Sequence, residues 1–180
     1  RSTQGVSSAA SDVYKRQDLV RTGKDEFYVL EDNCRTPSGV SYMLENRMVM
    51  RDVFPELFTR YKVSSVHQYS NKLYQSMVEC IPKKTKNPHM VVLTPGIYNS
   101  AYFEHSFLAQ QMGVALVEGK DLYVENDKVF MKTIGGGIRV DCIYRRLNDT
   151  YLDPKSFLNQ KKIFDNLSSF FNKTFKTLLS

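Results

Sequence analysis

An early apolar run ends in polar residues, where residues 27–30 (Phe-Tyr-Val-Leu) precede Glu31, Asp32 and Asn33. A short apolar run with such an end predicts a buried strand that carries oxygen-bearing side chains at its carboxyl end. A shorter segment, residues 18–21, comes before it across a glycine-containing turn. The two segments therefore predict a β-hairpin.

The two-residue alternation of strands places the polar side chains of this hairpin. With Asp18 opposite Val29, the positions Val29, Glu31 and Asn33 share one face, and Asp18 lies on that face as well. Asp18 and Glu31 are then diagonal neighbours, roughly 7 to 8 Å apart. Two carboxylates and an amide oxygen suit a hard cation that also binds phosphate. A strand that simply ends in a polar turn is the alternative that the residues leave open.

Helical apolar spacing follows the hairpin. Helical segments are predicted at residues 38–54, 55–61 and 71–79. Ser38 is the candidate N-cap of the first segment, and Gly39 belongs to the turn before it. A basic loop bounded by prolines, residues 82–88, is the best candidate for a boundary between subdomains.

The pattern changes after this loop. Apolar strands at residues 90–93 and 114–117 enclose an amphipathic helix at residues 100–112, which predicts a βαβ unit with a parallel sheet and a right-handed crossover. Ligands of such sheets bind at the carboxyl ends of the strands, where helix N-termini offer free amides. The candidate ligand-binding residues there are Thr94, Asn99 and Ser100, with Glu118 and Gly119 after the next strand. The predicted fold class is α/β.

Two turn signals follow the βαβ unit. Asn126 and Asp127 predict a hairpin between two short strands. The glycines at 135–137 predict a mobile turn before a strand at 139–144, because the Lys and Ser or Thr of a phosphate loop do not follow them. The arginines at 145–146 could reach a carboxylate or phosphate, and an exposed strand end explains them equally well.

Net charge argues against a general nucleic-acid-binding surface. The chain carries +6, but residues 1–17 contribute +2 and residues 151–180 contribute +3, which leaves +1 for residues 18–150. A basic surface would therefore have to lie in the two ends. A nucleic-acid-binding domain, which would bind with a steep dependence on salt, remains the weakest alternative.

Cysteine usage and hydropathy indicate the compartment. The three cysteines are odd in number, widely separated and without zinc spacing, so neither a disulfide framework nor a structural metal site is predicted. A reducing, cytoplasmic setting is the default expectation. The sequence shows no apolar run of membrane-spanning length, so no membrane partner is expected.

The strand end carries a recognisable motif. Glu31-x-Asn33-x-Arg35 resembles the metal-binding signature of ATP-grasp ligases. The chain is similar to the circularly permuted ATP-grasp family, type 2, over about residues 18–153. The blocks that carry this resemblance are residues 28–33, 41–47, 94–105, 116–122 and 139–146.

The resemblance implies roles for the residues of the motif. Glu31 and Asn33 would bind Mg2+, with Asp18 as a further ligand. Arg35 would face the terminal phosphates of ATP, as both a catalytic and an ATP-binding residue. Ser38 and Gly39 would border the phosphates and the acceptor. The expected reaction activates a small-molecule or peptide carboxylate as an acyl phosphate, which an amine then attacks to form an amide.

The resemblance also implies an organisation of the chain. Residues 18–81 would form the metal-binding segment, and residues 82–153 a substrate-side α/β subdomain. Residues 1–17 are interpreted as a non-native or disordered extension, and residues 154–180 as a truncated or frame-shifted tail. The hinge that binds adenine and the lysines that bind phosphate in this family have no counterpart here, so the chain alone is expected to be inactive. A non-catalytic nucleotide- or metabolite-binding remnant is the main alternative.

Overall fold

The computed structural model describes residues 16–33, 36–81 and 85–148. Three predictions therefore lie outside the described residues: the role of Arg35, nearly all of the extension at 1–17, and the tail at 154–180. The chain divides after Ser76 into two compact units. The first unit contains strands β1 (Arg16–Gly23) and β2 (Glu26–Asn33) and helices α1 (Val40–Val53) and α2 (Pro55–Tyr61), and helix α3 (Tyr69–Glu79) runs across the division.

The second unit is a sequence of strands around one helix. Its elements are β3 (Met90–Leu93), α4 (Tyr102–Met112), β4 (Ala115–Val117), a short 3-10 turn (Gly119–Asp121), β5 (Leu122–Glu125), β6 (Lys128–Thr133), β7 (Gly136–Arg139) and β8 (Cys142–Arg145). Helices and sheets are thus mixed, which is consistent with the predicted α/β class.

The hairpin β1–β2 forms, but in a different register from the predicted one. Asp18 pairs with Glu31 and Leu19 pairs with Val29, which leaves Leu30 without a partner as a β-bulge. The prediction that Asp18 lies opposite Val29 was wrong. Gly23 pairs with Glu26 and Arg21 with Phe27, which shifts the register near the turn, and the bulge at Leu30 then places Asp18 opposite Glu31. Strand β1 also begins at Arg16, two residues inside the predicted extension.

Strand β2 is exposed and not buried as predicted. All four residues of its apolar run are accessible to solvent, with Leu30 as the most exposed at 69%. Since neighbouring residues of a strand point to opposite faces, neither face of the hairpin is covered. An apolar run indicates a strand that can be buried, but burial requires a second layer of structure against it.

The N-cap of helix α1 lies one residue later than predicted. Gly39 takes the N-cap position with φ 105, a conformation that favours glycine, and no side chain caps the helix. The prediction of Ser38 as the N-cap was therefore wrong. Helix α2 begins with Pro55, where a missing amide hydrogen costs nothing, as the sequence indicated. The third predicted helix is confirmed as α3.

The βαβ unit of the second domain is confirmed. Strand β3 is buried throughout and pairs in parallel with β4 on one side and β8 on the other. Helix α4 begins at Tyr102 and buries Glu104 and His105 beside apolar residues. The predicted amphipathic pattern is therefore wrong for this helix, because polar side chains lie on its buried side.

The second sheet of this unit is antiparallel, in the order β5-β6-β7. Its predicted Asn126-Asp127 turn is confirmed, with φ of 49 and 57 at the two residues, as a tight two-residue hairpin requires. The predicted turn between strands is confirmed at residues 134–135, but it is shorter than expected, because Gly136 and Gly137 belong to β7. A Cβ atom at Gly137 would overlap the Tyr123 hydroxyl, so this glycine lets the Tyr123 ring lie across the strand.

An apolar core joins the two sheets of this unit. Its buried residues are Val91, Leu93, Val117, Leu122, Val129, Val140 and Leu147. The predicted single strand at 139–144 is interrupted at Val140, which turns into this core between β7 and β8. Among the helices that the structure describes, none is both long enough and apolar enough to cross a membrane.

Candidate functional site

Three oxygen-bearing side chains meet at the open end of the hairpin. The Asn33 amide nitrogen lies 3.4 Å from Asp18 Oδ2 and 3.1 Å from Glu31 Oε1, and it donates a hydrogen bond to each. Asp18 and Glu31 are a directly opposed pair of the two strands. The structure therefore brings together the three residues that the sequence suggested as metal ligands, through direct rather than diagonal pairing.

The chemistry of this cluster suits a hard cation. Mg2+ in nucleotide sites is held by one or two carboxylates together with phosphate oxygens and water, so a set of two carboxylates and one amide oxygen fits it. The Asn33 NH2 group donates to both carboxylates and so offsets their mutual repulsion. Rotation of the amide would turn Asn33 Oδ1 toward the two carboxylates.

The cluster contains fewer acids than a self-sufficient metal site. Across residues 16–33, 36–81 and 85–148, no three His, Cys, Asp or Glu side chains are grouped so that they could hold an ion. The neighbouring carboxylate, Asp32, instead accepts a hydrogen bond from Gln17 at 2.9 Å. A cation at this hairpin therefore needs further oxygen ligands, as the phosphates of a nucleotide would supply.

Gly39 borders an apolar groove between α1 and α2. The groove has a volume of about 660 Å³ and is lined mainly by Tyr42, Met43, Met50, Phe58 and Tyr61. Arg47 lies at its edge, where it donates to the Ser64 carbonyl at 2.9 Å and stacks over Phe58. The side chains that line this groove are apolar apart from Asn46, the Tyr42 and Tyr61 hydroxyls and Arg47, so the groove itself does not resemble a phosphate site.

Thr94 and Asn99, which the sequence suggested as ligand-binding, hold the turn after β3. Thr94 is buried; its Oγ1 lies 2.8 Å from His105 Nδ1 and accepts the Gly96 amide at 3.2 Å. Asn99 Oδ1 accepts the Ala101 amide at 2.9 Å, ahead of α4. Ser100, the third such residue, is exposed. The turn is therefore fixed by its own side chains.

The next strand end is also held internally. Glu118 and Asp121 each bond the other's backbone across the 3-10 turn in a capping box. Glu118 also pairs with Lys120 at 3.0 Å, and it lies close to Gly96, so the two strand-end turns are in contact.

The sequence did not predict the buried ion pair of this unit. Arg146 Nη2 donates to Glu104 Oε1 at 2.9 Å, and the two side chains are only 2% and 0% exposed. Arg146 Nη1 also donates to the Tyr144 hydroxyl at 3.3 Å, whereas its Nε is buried and makes no hydrogen bond with any described residue. Of the two alternatives for the arginines at 145–146, the exposed strand end is thus wrong for Arg146, which reaches a carboxylate instead. The one signal in the sequence was a glutamate that follows two aromatic residues at the start of the helical segment.

His105 is buried, bonds Thr94 and lies close enough to Arg146 to feel its charge. Burial, together with the positive charge of Arg146, lowers the pKa of His105 from 6.5 to about 4. The imidazole is therefore neutral at pH 7. A neutral ring can accept a hydrogen bond from the Thr94 hydroxyl, which keeps Thr94 Oγ1 oriented to accept the Gly96 amide.

The chain matches a family of known proteins along most of its length. A family model described as "A circularly permuted ATPgrasp" matches residues 4–163. This match is wider than the block at 18–153 that carried the resemblance in the sequence. It begins inside the stretch that was interpreted as a non-native extension.

Individual relatives are similar over about three quarters of the chain. An uncharacterized protein of Synechocystis sp. is 53% identical over 78% of this chain and 29% of its own length. An uncharacterized protein of Mycobacterium tuberculosis is 51% identical over 78% of this chain and 25% of its own length. A Frankia casuarinae protein named "Putative glutamate--cysteine ligase 2-2" is 42% identical over 73% of this chain and 16% of its own length. The chain thus spans less than a third of each of these relatives.

Proposed function

Since this chain belongs to the circularly permuted ATP-grasp family, we propose that it forms the metal-binding and substrate-side part of an ATP-dependent carboxylate–amine ligase. The observation that carries the proposal is the meeting of Asp18, Glu31 and Asn33 at one end of the hairpin. The ligase name of the Frankia relative supports the reaction class. The family assignment made from the sequence is confirmed, while its type 2 stays a prediction.

The proposed role of the hairpin is to hold charge beside the transferred phosphoryl group. Bound Mg2+ would neutralise the charge of the β- and γ-phosphates of ATP. Asp18 and Glu31 contribute the carboxylates, and Asn33 contributes its amide oxygen after rotation. Arg35, two residues beyond Asn33, is proposed to place its guanidinium against the γ-phosphoryl group.

The proposed reaction has two steps. An oxygen of the substrate carboxylate attacks the γ-phosphorus, the bond to the β-phosphate oxygen breaks, and ADP and an acyl phosphate form. The amine then attacks the acyl carbon, loses a proton and displaces inorganic phosphate, which leaves an amide. Ser38 and Gly39 are proposed to border the phosphates, and the strand-end turn with Thr94, Asn99 and Ser100 is proposed to contact nucleotide or substrate.

Glu31→Gln in the full-length protein tests the metal role. The change removes one carboxylate and keeps the size of the side chain, so ADP formation with Mg-ATP should fall to background while the protein stays folded. Asp32→Asn is the matched control, because Asp32 bonds Gln17 and not the cluster; it should retain activity. Unchanged ADP formation by Glu31→Gln would show that the motif is misinterpreted.

The chain of 180 residues gives a second test. It should form no ADP when supplied with Mg-ATP, amino acids and short peptides, because the adenine hinge and phosphate-binding lysines of the family have no counterpart in it. Robust ligation by the chain alone would contradict this. Binding of Mg-ATP without turnover by the full-length protein would instead favour the non-catalytic alternative.

A further inference from the structure

Hairpin β1–β2 presents apolar side chains to solvent on both faces. The exposed apolar residues of the two strands are Leu19, Val20, Phe27, Tyr28, Val29 and Leu30. Residues 27–30 are consecutive, so the alternation of the strand directs them to both sides of the hairpin. An uncovered surface of this kind in a soluble domain marks an interaction site.

The hairpin is also incomplete as a sheet. Its sheet contains only β1 and β2 within the part of the chain that the structure describes, so each strand has one edge without a described partner. A two-stranded hairpin is marginally stable by itself, and a third strand or a packed layer is normally required. Unpaired strand edges are sites at which another strand adds.

The second unit of the same chain contains a strand that is covered on both faces and paired on both edges. Strand β3 has neighbours on both edges and is buried on both faces. Its apolar residues and those of β1–β2 are of similar type, yet only the former are covered. The difference therefore lies in missing neighbours and not in the composition of the strands.

We propose that hairpin β1–β2 is part of a larger sheet, and that its faces and one of its two free edges are docking surfaces for the rest of the parent polypeptide. The occupant is intramolecular because the matched relatives are more than three times as long as the region they share with this chain. The docked segments are apolar on the side facing the hairpin, and one adds a strand to its edge. This inference requires neither a metal nor turnover, so it stands apart from the proposed function.

Amide hydrogen exchange compares the hairpin in this chain with the same hairpin in the full-length protein. Amides of residues 26–30 should exchange at least about 100-fold more slowly in the full-length protein, because docking makes their exchange depend on larger openings. Amides of β3 serve as the internal control and should change by less than about threefold. Equal exchange of residues 26–30 in both proteins would overturn the proposal. Strong protection in the chain alone would assign the cover to the chain's own ends and would overturn it too.

A pair of variants separates docking from folding. In the chain, Leu30→Lys and Ile134→Lys should both leave the melting temperature unchanged, since both side chains are exposed. In the full-length protein, Leu30→Lys should remove most of the protection of residues 26–30, whereas Ile134→Lys should not. Sedimentation of the chain tests whether a second copy of the chain covers the hairpin instead. A dimer that Leu30→Lys dissociates would show that it does, and would overturn the proposal.

Discussion

In the first unit, apolar side chains of a hairpin face solvent, whereas in the second unit a glutamate and an arginine lie fully buried. Each arrangement is the reverse of what residue type alone favours. A buried charge pair persists only where neighbouring groups hold both partners in place and compensate their lost hydration. The second unit supplies those neighbours from its own residues, and the first unit leaves its apolar hairpin without them.

The comparison shows where stability resides in the chain. Parallel pairing, the helix α4 and the apolar core all belong to the second unit. Substitutions there should change the free energy of unfolding strongly, while substitutions on the exposed hairpin should change it little. Stability measurements on the two units can therefore sharpen or break the contrast.

The largest effect is expected from Arg146→Met. The change removes the guanidinium that compensates buried Glu104, and it should lower the free energy of unfolding by about 3 to 5 kcal/mol. Arg51→Met is the control, since Arg51 and Asp52 form an exposed pair at 3.7 Å that contributes less than about 1 kcal/mol. Urea unfolding followed by circular dichroism measures both. A loss below about 1 kcal/mol for Arg146→Met would show that Arg146 is not needed to compensate the buried charge of Glu104.

A smaller loss is expected from Gly137→Ala. A methyl group would displace Tyr123, whose ring stacks on Phe130 at a centroid distance of 5.4 Å, so the cost should be about 1 to 3 kcal/mol. At Gly135 the nearest atom is Thr133 Oγ1, at an ordinary contact distance of 3.9 Å. Gly135→Ala should therefore stay within about 0.5 kcal/mol of the wild type. Equal losses for the two glycines in the same urea experiment would contradict the proposed role of Gly137.

His105 should make the second unit sensitive to acid. Its pKa falls from 6.5 to about 4 on folding, so the unfolded chain binds more protons between these values. Stability should therefore fall as the pH decreases from about 6.5 to about 4 and be independent of His105 above that window. Melting temperatures of the wild type and His105→Gln across this range measure the effect. Parallel curves for the two proteins would mean that His105 does not contribute.

The smallest effect is expected from Leu30→Gln in the chain of 180 residues. The side chain is already 69% exposed, so its loss should change the free energy of unfolding by less than about 0.5 kcal/mol. Leu93→Ala, at a fully buried position of β3, should cost about 2 to 5 kcal/mol. The same urea experiment compares them, and a loss at Leu30 as large as that at Leu93 would mean that the hairpin is covered in the chain itself.

Much of the fold could be predicted because its signals are local. The Asn-Asp turn at 126–127 requires left-handed backbone angles that these residues tolerate, and the sequence shows it directly. The strand, helix and strand of the βαβ unit follow from their periods. The gathering of Asp18, Glu31 and Asn33 could also be predicted, although the register could not, because a bulge leaves no clear mark in the sequence.

Burial could not be predicted with the same success, since it depends on distant residues. Glu104 and Arg146 are 42 residues apart, and nothing in either neighbourhood indicates the other. The exposure of β2 has the same origin: the apolar run at 27–30 is evident in the sequence, but the layer that would cover it is not. Thr94 and Asn99 were correctly placed at strand ends, while their bonds to the turn became visible only in the structure.

The bulge at Leu30 also bears on how sequences of different length align. Asp18 with Glu31 and Leu19 with Val29 are pairs on either side of it, so the bulge separates the ligand-bearing end of the hairpin from the segment nearer the turn, where a second shift of register occurs between Arg21 and Gly23. Removal of Leu30 would leave the pairs on both sides of it in place. The loss of one residue at position 30 would therefore not require a change in the pairing of Asp18 with Glu31. In an alignment of related chains, a one-residue gap at position 30 would be compatible with an unchanged cluster of oxygen ligands.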